Sequence, residues 1–180
     1  MVTCAKAAGN GHPLGFVVCR RDIADSFAAT SSFFSTPGGN PVSCRVGEAV
    51  LDVIAEEGLR ENAVLVGDRI ATGLAELKRR HPVIGATYGL GLYQGIDLIA
   101  GSSADKTPLR PDAVADICER LLELGIVVQP TGLLGNVLKI KPPMCIEERD
   151  ADRYLSCLDQ ALTEHEELTR LVATTGTPDP

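Results

Sequence analysis

The chain has 180 residues, a formal net charge of −7 and an apolar content of 44%, but only 4% aromatic residues. That apolar content is sufficient for a buried core, which must be built mainly from Leu, Val, Ile and Ala side chains. The negative charge disfavours a nucleic-acid-binding surface, because such surfaces attract phosphates with clustered Lys and Arg.

The six cysteines are scattered along the chain. None forms a C-x-x-C pair, and none lies at metal-ligand spacing from a histidine, so we expect no metal site. This pattern is typical of reduced, buried thiols in a cytosolic protein. No apolar run is long enough to span a membrane, and the N-terminus lacks a signal-peptide pattern. We therefore expect a cytoplasmic protein without a membrane or nucleic-acid partner.

The N-terminal part of the chain predicts one strand and two helices. Leu14–Cys19 is a short apolar run typical of a buried strand, and residues 22–29 follow a helical pattern. After a loop of small polar residues, Asn40 and Pro41 predict a helix start. Asn can cap the first turn, and Pro suits the first helical position.

The remaining sequence alternates helical and strand patterns. The predicted elements are a helix over 59–81, two strands within 83–98, a helix from Pro111, strands at 126–128 and 137–140, and a helix over 147–168. The first of these helices places Val66, Ile70 and Leu74 on one face at amphipathic spacing. Composition and element order predict a small α/β domain here.

We expect a domain boundary near residue 60. Residues 1–60 contain too few elements to close a core and are typical of the edge of a larger domain with an interdomain helix. Residues 61–170 form the small α/β domain, and residues 171–180 are expected to be a disordered tail.

Lys6 lies in the first of three runs that indicate chemistry, which extends from Thr3 to Pro13. It is followed by Gly9, Asn10, Gly11 and Pro13, which predict a turn where the backbone can approach a ligand closely. A lysine amine that its site keeps partly unprotonated can form a Schiff base with a carbonyl compound.

The second run extends from Ser35 to Cys44 and the third from Asn136 to Cys145. The second contains Thr36 and a Gly-Gly turn ahead of a helix N-terminus, where a phosphate can bind. In this order, the three runs resemble the C-terminal part of class III aminotransferases, which depend on pyridoxal phosphate. Within that class they are most similar to the branch of alanine–glyoxylate aminotransferase 2 and ethanolamine-phosphate phospho-lyase. The resemblance extends from Thr3 to about Leu162.

The resemblance implies an α/β fold, namely the C-terminal portion of a fold-type I enzyme. This portion comprises the trailing edge of the large cofactor-binding domain and the small domain. Lys6 matches the family lysine that bonds to the cofactor and transfers the proton at the substrate carbon. Thr36 matches the threonine that reaches the cofactor phosphate of the partner subunit in a homodimer. Lys139 stands where many members carry an Arg for the substrate carboxylate.

The chain departs from the family pattern at four positions. Ser35 replaces the usual Asn and Pro37 the usual aromatic residue, and proline removes one backbone N–H from the phosphate loop. Lys139 provides a point charge without the two-pronged fork of arginine. Tyr88 replaces a frequent Arg. The Leu-Lys-Ile-Lys-Pro-Pro form around Lys139 is similar to the phospho-lyase branch.

The resemblance implies transamination between an amine or amino acid and a 2-oxo acid. The alternatives are a phospho-lyase acting on a phosphorylated amine, or an inactive truncated remnant. The family's ring-nitrogen Asp, stacking aromatic residue and first phosphate loop precede the lysine, so we expect a fragment of a longer enzyme. We also expect the apolar face of residues 59–77 and the helix after Asn40 to be covered by that missing part or by a second copy.

Overall fold

The computed structural model describes residues 1–100 and 106–175. The chain divides into two compact units, Met1–Leu59 and Arg60–Pro180. Helices occur together with antiparallel sheets, one of two strands and one of four. The predicted α/β fold class is confirmed.

The first unit contains a short hairpin-like sheet and two helices. Strand β1 (Val2–Cys4) pairs with strand β2 (Phe16–Val18) in antiparallel register, with Thr3 opposite Val17. A 3₁₀ turn over Lys6–Gly9 lies between these strands. Helices α1 (Arg21–Thr30) and α2 (Pro41–Glu56) follow. The sequence pattern predicted β2 but not β1.

Helix α2 begins where the sequence predicts. The side chain of Asn40 accepts a hydrogen bond from the Ser43 backbone N–H at 2.9 Å, and Pro41 is the first helical residue. No residue of α2 is buried, and Leu51 is 59% exposed. That a missing part of the protein or a second copy covers this helix stays a prediction.

In its described residues, the second unit contains three helices and a four-stranded sheet. Its elements are α3 (Leu59–Arg80, which begins one residue before the unit), β3 (Ile84–Leu90), β4 (Tyr93–Leu98), α4 (Pro111–Glu123), β5 (Gln129–Thr131), β6 (Val137–Ile140) and α5 (Glu148–Thr175). The strand order is β3-β4-β6-β5, and all neighbouring strands are antiparallel.

One hydrophobic core joins α3, α4, α5 and one face of this sheet. Val66, Ile70 and Leu74 of α3 are buried in it, as the amphipathic spacing predicts. Ile96 of β4 and Leu138 of β6 contribute from the sheet. The expectation that the α3 face needs cover from outside is wrong, because elements of the same unit already bury it.

The strand predicted at 126–128 is also wrong. The backbone N–H of Ile126 donates to the Leu121 carbonyl at 2.8 Å and so helps to end α4. Val127 is 79% exposed, and the strand that forms is β5, one residue further on. Pro130 lies within β5, which is possible because β5 is an edge strand and needs fewer N–H donors.

Helix α5 is attached to α3 and α4 by arginine–carboxylate pairs. Arg69 binds Asp152 at 2.5 Å, and Arg120 binds Glu164 at 2.6 Å. The hydrogen bonds from these two arginines lower the pKa of both carboxyl groups below their ordinary values. The helix continues through Thr175, so the first half of the expected tail is helical. Residues 176–180 lie outside the described residues.

All six cysteines are free thiols. Cys44 and Cys145 are exposed and the other four are half-buried, so the expectation of buried thiols is wrong. No helix in the described ranges is long and apolar enough to cross a membrane.

Gly67 of α3 marks a close approach of two backbone segments in the second unit. A Cβ atom added there would lie 2.4 Å from the carbonyl carbon of Gly91, in the turn between β3 and β4. The side chain of Gln94 closes the same contact by donating to the carbonyls of Gly67 at 2.6 Å and Gly91 at 2.8 Å. The helix can lie against this turn only because residue 67 has no side chain.

We predict that Gly67→Ala lowers the free energy of unfolding by about 2 kcal/mol, because the new methyl group forces two backbone segments apart. Urea unfolding followed by circular dichroism measures this. Asp68→Ala, at the neighbouring exposed position of α3, is the matched control and should change stability by less than about 0.5 kcal/mol. Equal stabilities of Gly67→Ala and wild type would contradict the close packing at this contact.

Candidate functional site

Lys6 lies at the start of the 3₁₀ turn, two residues after β1 ends. Its backbone is left-handed, with a φ of 55°, a conformation that costs a non-glycine residue about 1–2 kcal/mol. Its side chain is exposed, and among the described residues no hydrogen bond or ion pair engages its amine. The amine is therefore available to a ligand. Lys106 shares the left-handed backbone, with a φ of 50°, so conformation alone does not identify a site.

Backbone hydrogen bonds hold the rest of the lysine turn. Asn10 N–H donates to the Ala7 carbonyl and His12 N–H to the Gly9 carbonyl, both at 3.0 Å. Asn10 is left-handed as well, with a φ of 46°. Asn tolerates this conformation better than most residues, which explains its use at this position.

The loop that carries Thr36 has fewer free donors than its sequence suggests. Thr36 is exposed, and the next residue, Pro37, has no backbone N–H. The N–H of Gly38 is already used, since it donates to the Ser35 hydroxyl at 3.1 Å. Ser35 therefore does more than replace the family's Asn, because it occupies a donor that could otherwise face a phosphate.

A hydrogen-bond chain that the sequence did not reveal joins these two runs. His12 Nε2 lies 2.8 Å from Ser43 Oγ, and Asn40 Nδ2 donates to the same hydroxyl at 2.9 Å. The paired residues are 31 positions apart, and neither has a local pattern that predicts its partner. The turn of Lys6 and the loop of Thr36 are thus connected within the first unit. No hydrogen bond in the described chain joins Lys6 and Thr36 directly.

Lys139 belongs to the second unit. It lies on β6 between the buried residues Leu138 and Ile140, so its side chain faces the open side of the sheet. Its neighbours across the strands are Gly95 and Gln129. It also lines a cleft of about 590 Å³. An exposed ammonium group beside a cleft suits an anionic substrate group.

Two tyrosines lie on the same open face of the sheet. Tyr88 donates to Asp97 Oδ1 at 2.9 Å. Partial burial, together with this bond, raises the pKa of Tyr88 to about 12, so the phenol stays neutral at physiological pH. Lys141 places its ammonium 5.3 Å from the ring centre of Tyr93. Tyr88 therefore does not replace the charge of the Arg that the family often has there.

The donor set of the first unit fits a phosphorylated aldehyde such as pyridoxal phosphate. An unengaged primary amine at Lys6 can bond to an aldehyde carbon. The exposed hydroxyl of Thr36 can donate to a phosphate oxygen. A larger cavity of about 790 Å³ in the second unit, near Arg110 and His165, contains none of the predicted site residues.

Comparison with known proteins places these features in a family. The family model for class-III aminotransferases matches residues 1–162. A mitochondrial alanine–glyoxylate aminotransferase 2 homologue of Arabidopsis thaliana is 40% identical over 91% of this chain and 34% of its own length. The chain belongs to the class-III aminotransferase family, which confirms the resemblance in the sequence.

Solved structures agree with this assignment. A phospholyase from Arthrobacter, in complex with phosphoethanolamine, superposes with a TM-score of 0.83 and 35% identity, over 89% of this chain and 38% of that chain. An amine transaminase from an uncultivated Pseudomonas species, solved with pyridoxal phosphate bound, gives a TM-score of 0.81 and 29% identity, over 90% and 38% of the two chains. The family is one of enzymes, and its cofactor is pyridoxal phosphate. This chain spans about a third of the length of the curated relatives that it matches.

We predict that Lys6→Gly is more stable than Lys6→Ala by about 1 kcal/mol, because glycine adopts the left-handed backbone without strain. The same comparison at Thr72, inside α3, should give the opposite sign, with glycine less stable by about 1 kcal/mol. Urea unfolding of the four variants measures both differences. Lower stability of Lys6→Gly than of Lys6→Ala would show that residue 6 is not left-handed.

Proposed function

We propose that this chain carries the cofactor lysine of a pyridoxal-phosphate-dependent aminotransferase, and that Lys6 is that residue. The supporting observation is the exposed, unengaged amine of Lys6, which has a left-handed backbone and lies two residues after the end of β1. The sequence around it matches the family form Lys-x-x-Gly-Asn-Gly-x-Pro. The reaction is the exchange of an amino group between an amine or amino acid and a 2-oxo acid.

Lys6 acts in two roles under this proposal. Its Nζ would hold the cofactor through the aldehyde carbon, and as a free amine it would take and return the proton at the substrate carbon. Pyridoxal phosphate supplies, when bound, the electron-withdrawing ring that makes this carbon acidic. Because Lys6 is exposed, its amine can move between these roles without breaking a hydrogen bond or ion pair of the described residues.

Thr36 and Lys139 each bind an anionic group, Thr36 that of the cofactor and Lys139 that of the substrate. The Thr36 hydroxyl donates to the cofactor phosphate, and it does so across a homodimer. The exposed apolar residues of the first unit support association, since Phe33 is 77% and Phe34 is 89% exposed beside Thr36 in the same loop. Lys139 attracts the anionic group of the substrate from the open face of the sheet.

Turnover needs more than this chain provides. It spans about a third of its relatives, and the other groups that hold the ring are proposed to come from a longer enzyme. Holding reacting groups in place supplies much of an enzyme's rate. The cytoplasm remains the proposed location, although the Arabidopsis relative is named as mitochondrial.

A specific observation also favours a second function, elimination of phosphate from a phosphorylated amine. Lys139 carries a point charge where many family members have an arginine fork, and a compact charge suits a phosphate as well as a carboxylate. The Arthrobacter phospholyase is among the similar structures, at 35% identity.

We predict that borohydride reduction after incubation with pyridoxal phosphate fixes a label on Lys6. Peptide mass spectrometry locates the label. Lys6→Ala should remove it, while Lys106→Ala should leave it unchanged. Lys106 is a matched control, because it is also an exposed lysine with a left-handed backbone. A label on Lys139 or Lys141, with Lys6 unmodified, would sink the assignment.

We also predict negligible transaminase turnover by the 180-residue chain alone. Turnover should appear when the upstream part of a class-III relative is fused to it or added in trans. Assays with 2-oxo acid acceptors and with phosphoethanolamine then separate the two functions. Amino-group transfer supports the aminotransferase, and phosphate release supports the phospho-lyase. Robust turnover by the chain alone would contradict the need for further groups.

A further inference from the structure

The hydrogen-bond chain between the lysine turn and α2 has no role in the function proposed so far. We propose that His12, Ser43 and Asn40 form a clamp that holds the lysine turn against the start of α2 and so positions Lys6 for the cofactor. This inference rests on the proposed function. His12 and Ser43 are positioning residues, since they act through the backbone that carries Lys6.

The clamp is built in a defined order of donors and acceptors. The Ser43 backbone N–H donates to Asn40 Oδ1 at 2.9 Å, which determines the orientation of the Asn40 amide. Asn40 Nδ2 then donates to the Pro37 carbonyl at 2.8 Å and to Ser43 Oγ at 2.9 Å, which uses both of its hydrogens.

The Ser43 hydroxyl still has its own hydrogen to donate. His12 Nε2, 2.8 Å away, accepts that hydrogen when the neutral imidazole carries its proton on Nδ1. The bond is partly buried, where water competes less well for either group. Among the described residues, no other side chain makes the hydrogen bonds that these three residues make with one another.

Packing supports the clamp from the adjacent position. Leu14 Cδ2 lies 2.9 Å from the point that a Cβ atom of Gly47 would occupy, so the Leu14 side chain packs directly against the α2 backbone at Gly47. His12 and Leu14 thus meet α2 one turn apart, the first through Ser43 and the second through Gly47. Two contacts of different kinds determine one position of the turn on the helix.

The two predicted cofactor residues lie on opposite ends of the clamp. On one side, His12 ends the turn that Lys6 begins, through its backbone bond to Gly9 at 3.0 Å. On the other, Asn40 holds the carbonyl of Pro37, the neighbour of Thr36. A rigid link between these segments lowers the entropy that cofactor binding must remove.

The test uses the full 180-residue chain with pyridoxal phosphate as the probe. Borohydride labelling of Lys6 is measured over a range of cofactor concentrations, and hydrogen exchange of residues 5–13 is measured without cofactor. His12→Leu and Ser43→Ala should each raise the half-saturating concentration roughly fivefold, as expected for the loss of one hydrogen bond. Both should also speed exchange in the turn. The double variant should raise the half-saturating concentration no more than either single variant does, because both substitutions remove the same hydrogen bond.

Conservative variants separate positioning from general damage to the fold. His12→Gln can place its amide oxygen, a hydrogen-bond acceptor, near the position of Nε2, and Ser43→Thr keeps the hydroxyl. Both should restore labelling to within about twofold of wild type. Ser32→Ala, at an exposed serine in the same unit, is the matched control and should change neither measurement.

Three results would overturn the clamp. The first is labelling and exchange in the single variants equal to those of wild type. The second is a loss of labelling in the double variant that equals the sum of the two single losses. The third is a loss of labelling that neither conservative variant restores. A different result identifies failure of the proposed function. If no variant, including wild type, is labelled at Lys6 while Ser43→Ala still speeds exchange, the cofactor assignment is wrong and the clamp is supported.

Discussion

One-sided burial of the four-stranded sheet is the constraint on which the second unit depends. Because the chain has few aromatic residues, this core needs rows of aliphatic side chains from several elements. Helices α3, α4 and α5 supply these rows and pack against Ile96, Leu138 and their neighbours on one face. Alternation along the strands then leaves Lys139 and Tyr88 on the other face. The same pairing of strands that builds the core therefore presents the candidate substrate-binding lysine.

The first unit depends on a different set of interactions. It buries almost no apolar side chain, and its order comes from a short strand pair, a helix cap and the bonds around Ser43. Such a segment contributes little hydrophobic free energy of its own. It can nevertheless hold Lys6 in a strained backbone conformation, because backbone hydrogen bonds stabilise the turn that contains this residue. Strain held in this way is common at binding and catalytic sites.

The sequence predicted those features that follow from periodicity or from turn chemistry. A local sequence pattern predicted the apolar face of α3, the Asn40 cap, and strands β3, β4 and β6. Strand β1 was missed, since its three residues, two of them exposed, carry no such pattern. The strand at 126–128 was misplaced, because the apolar run Ile126–Val128 precedes the edge strand β5, which contains Pro130. The bond between His12 and Ser43 could not be predicted, because it joins distant positions that only the fold brings together.

The order of the three runs, rather than any single residue, led to the family. A lone lysine before glycines is common, whereas Lys6, Thr36 and Lys139 in this sequence context matched a family that comparison then confirmed. The sequence of a run does not show how many of its hydrogen-bond donors remain free after folding. The Ser35 hydroxyl, for example, accepts the N–H of Gly38 and so removes one donor from the proposed phosphate loop.

The central claim is that Lys6 carries the cofactor. A crystal structure of the chain, reduced with borohydride in the presence of pyridoxal phosphate, tests it most directly. The account predicts continuous electron density from Lys6 Nζ to the aldehyde-derived carbon of the cofactor, with the His12–Ser43 hydrogen bond intact. Density that joins the cofactor to Lys139 or Lys141, with Lys6 free, would contradict it.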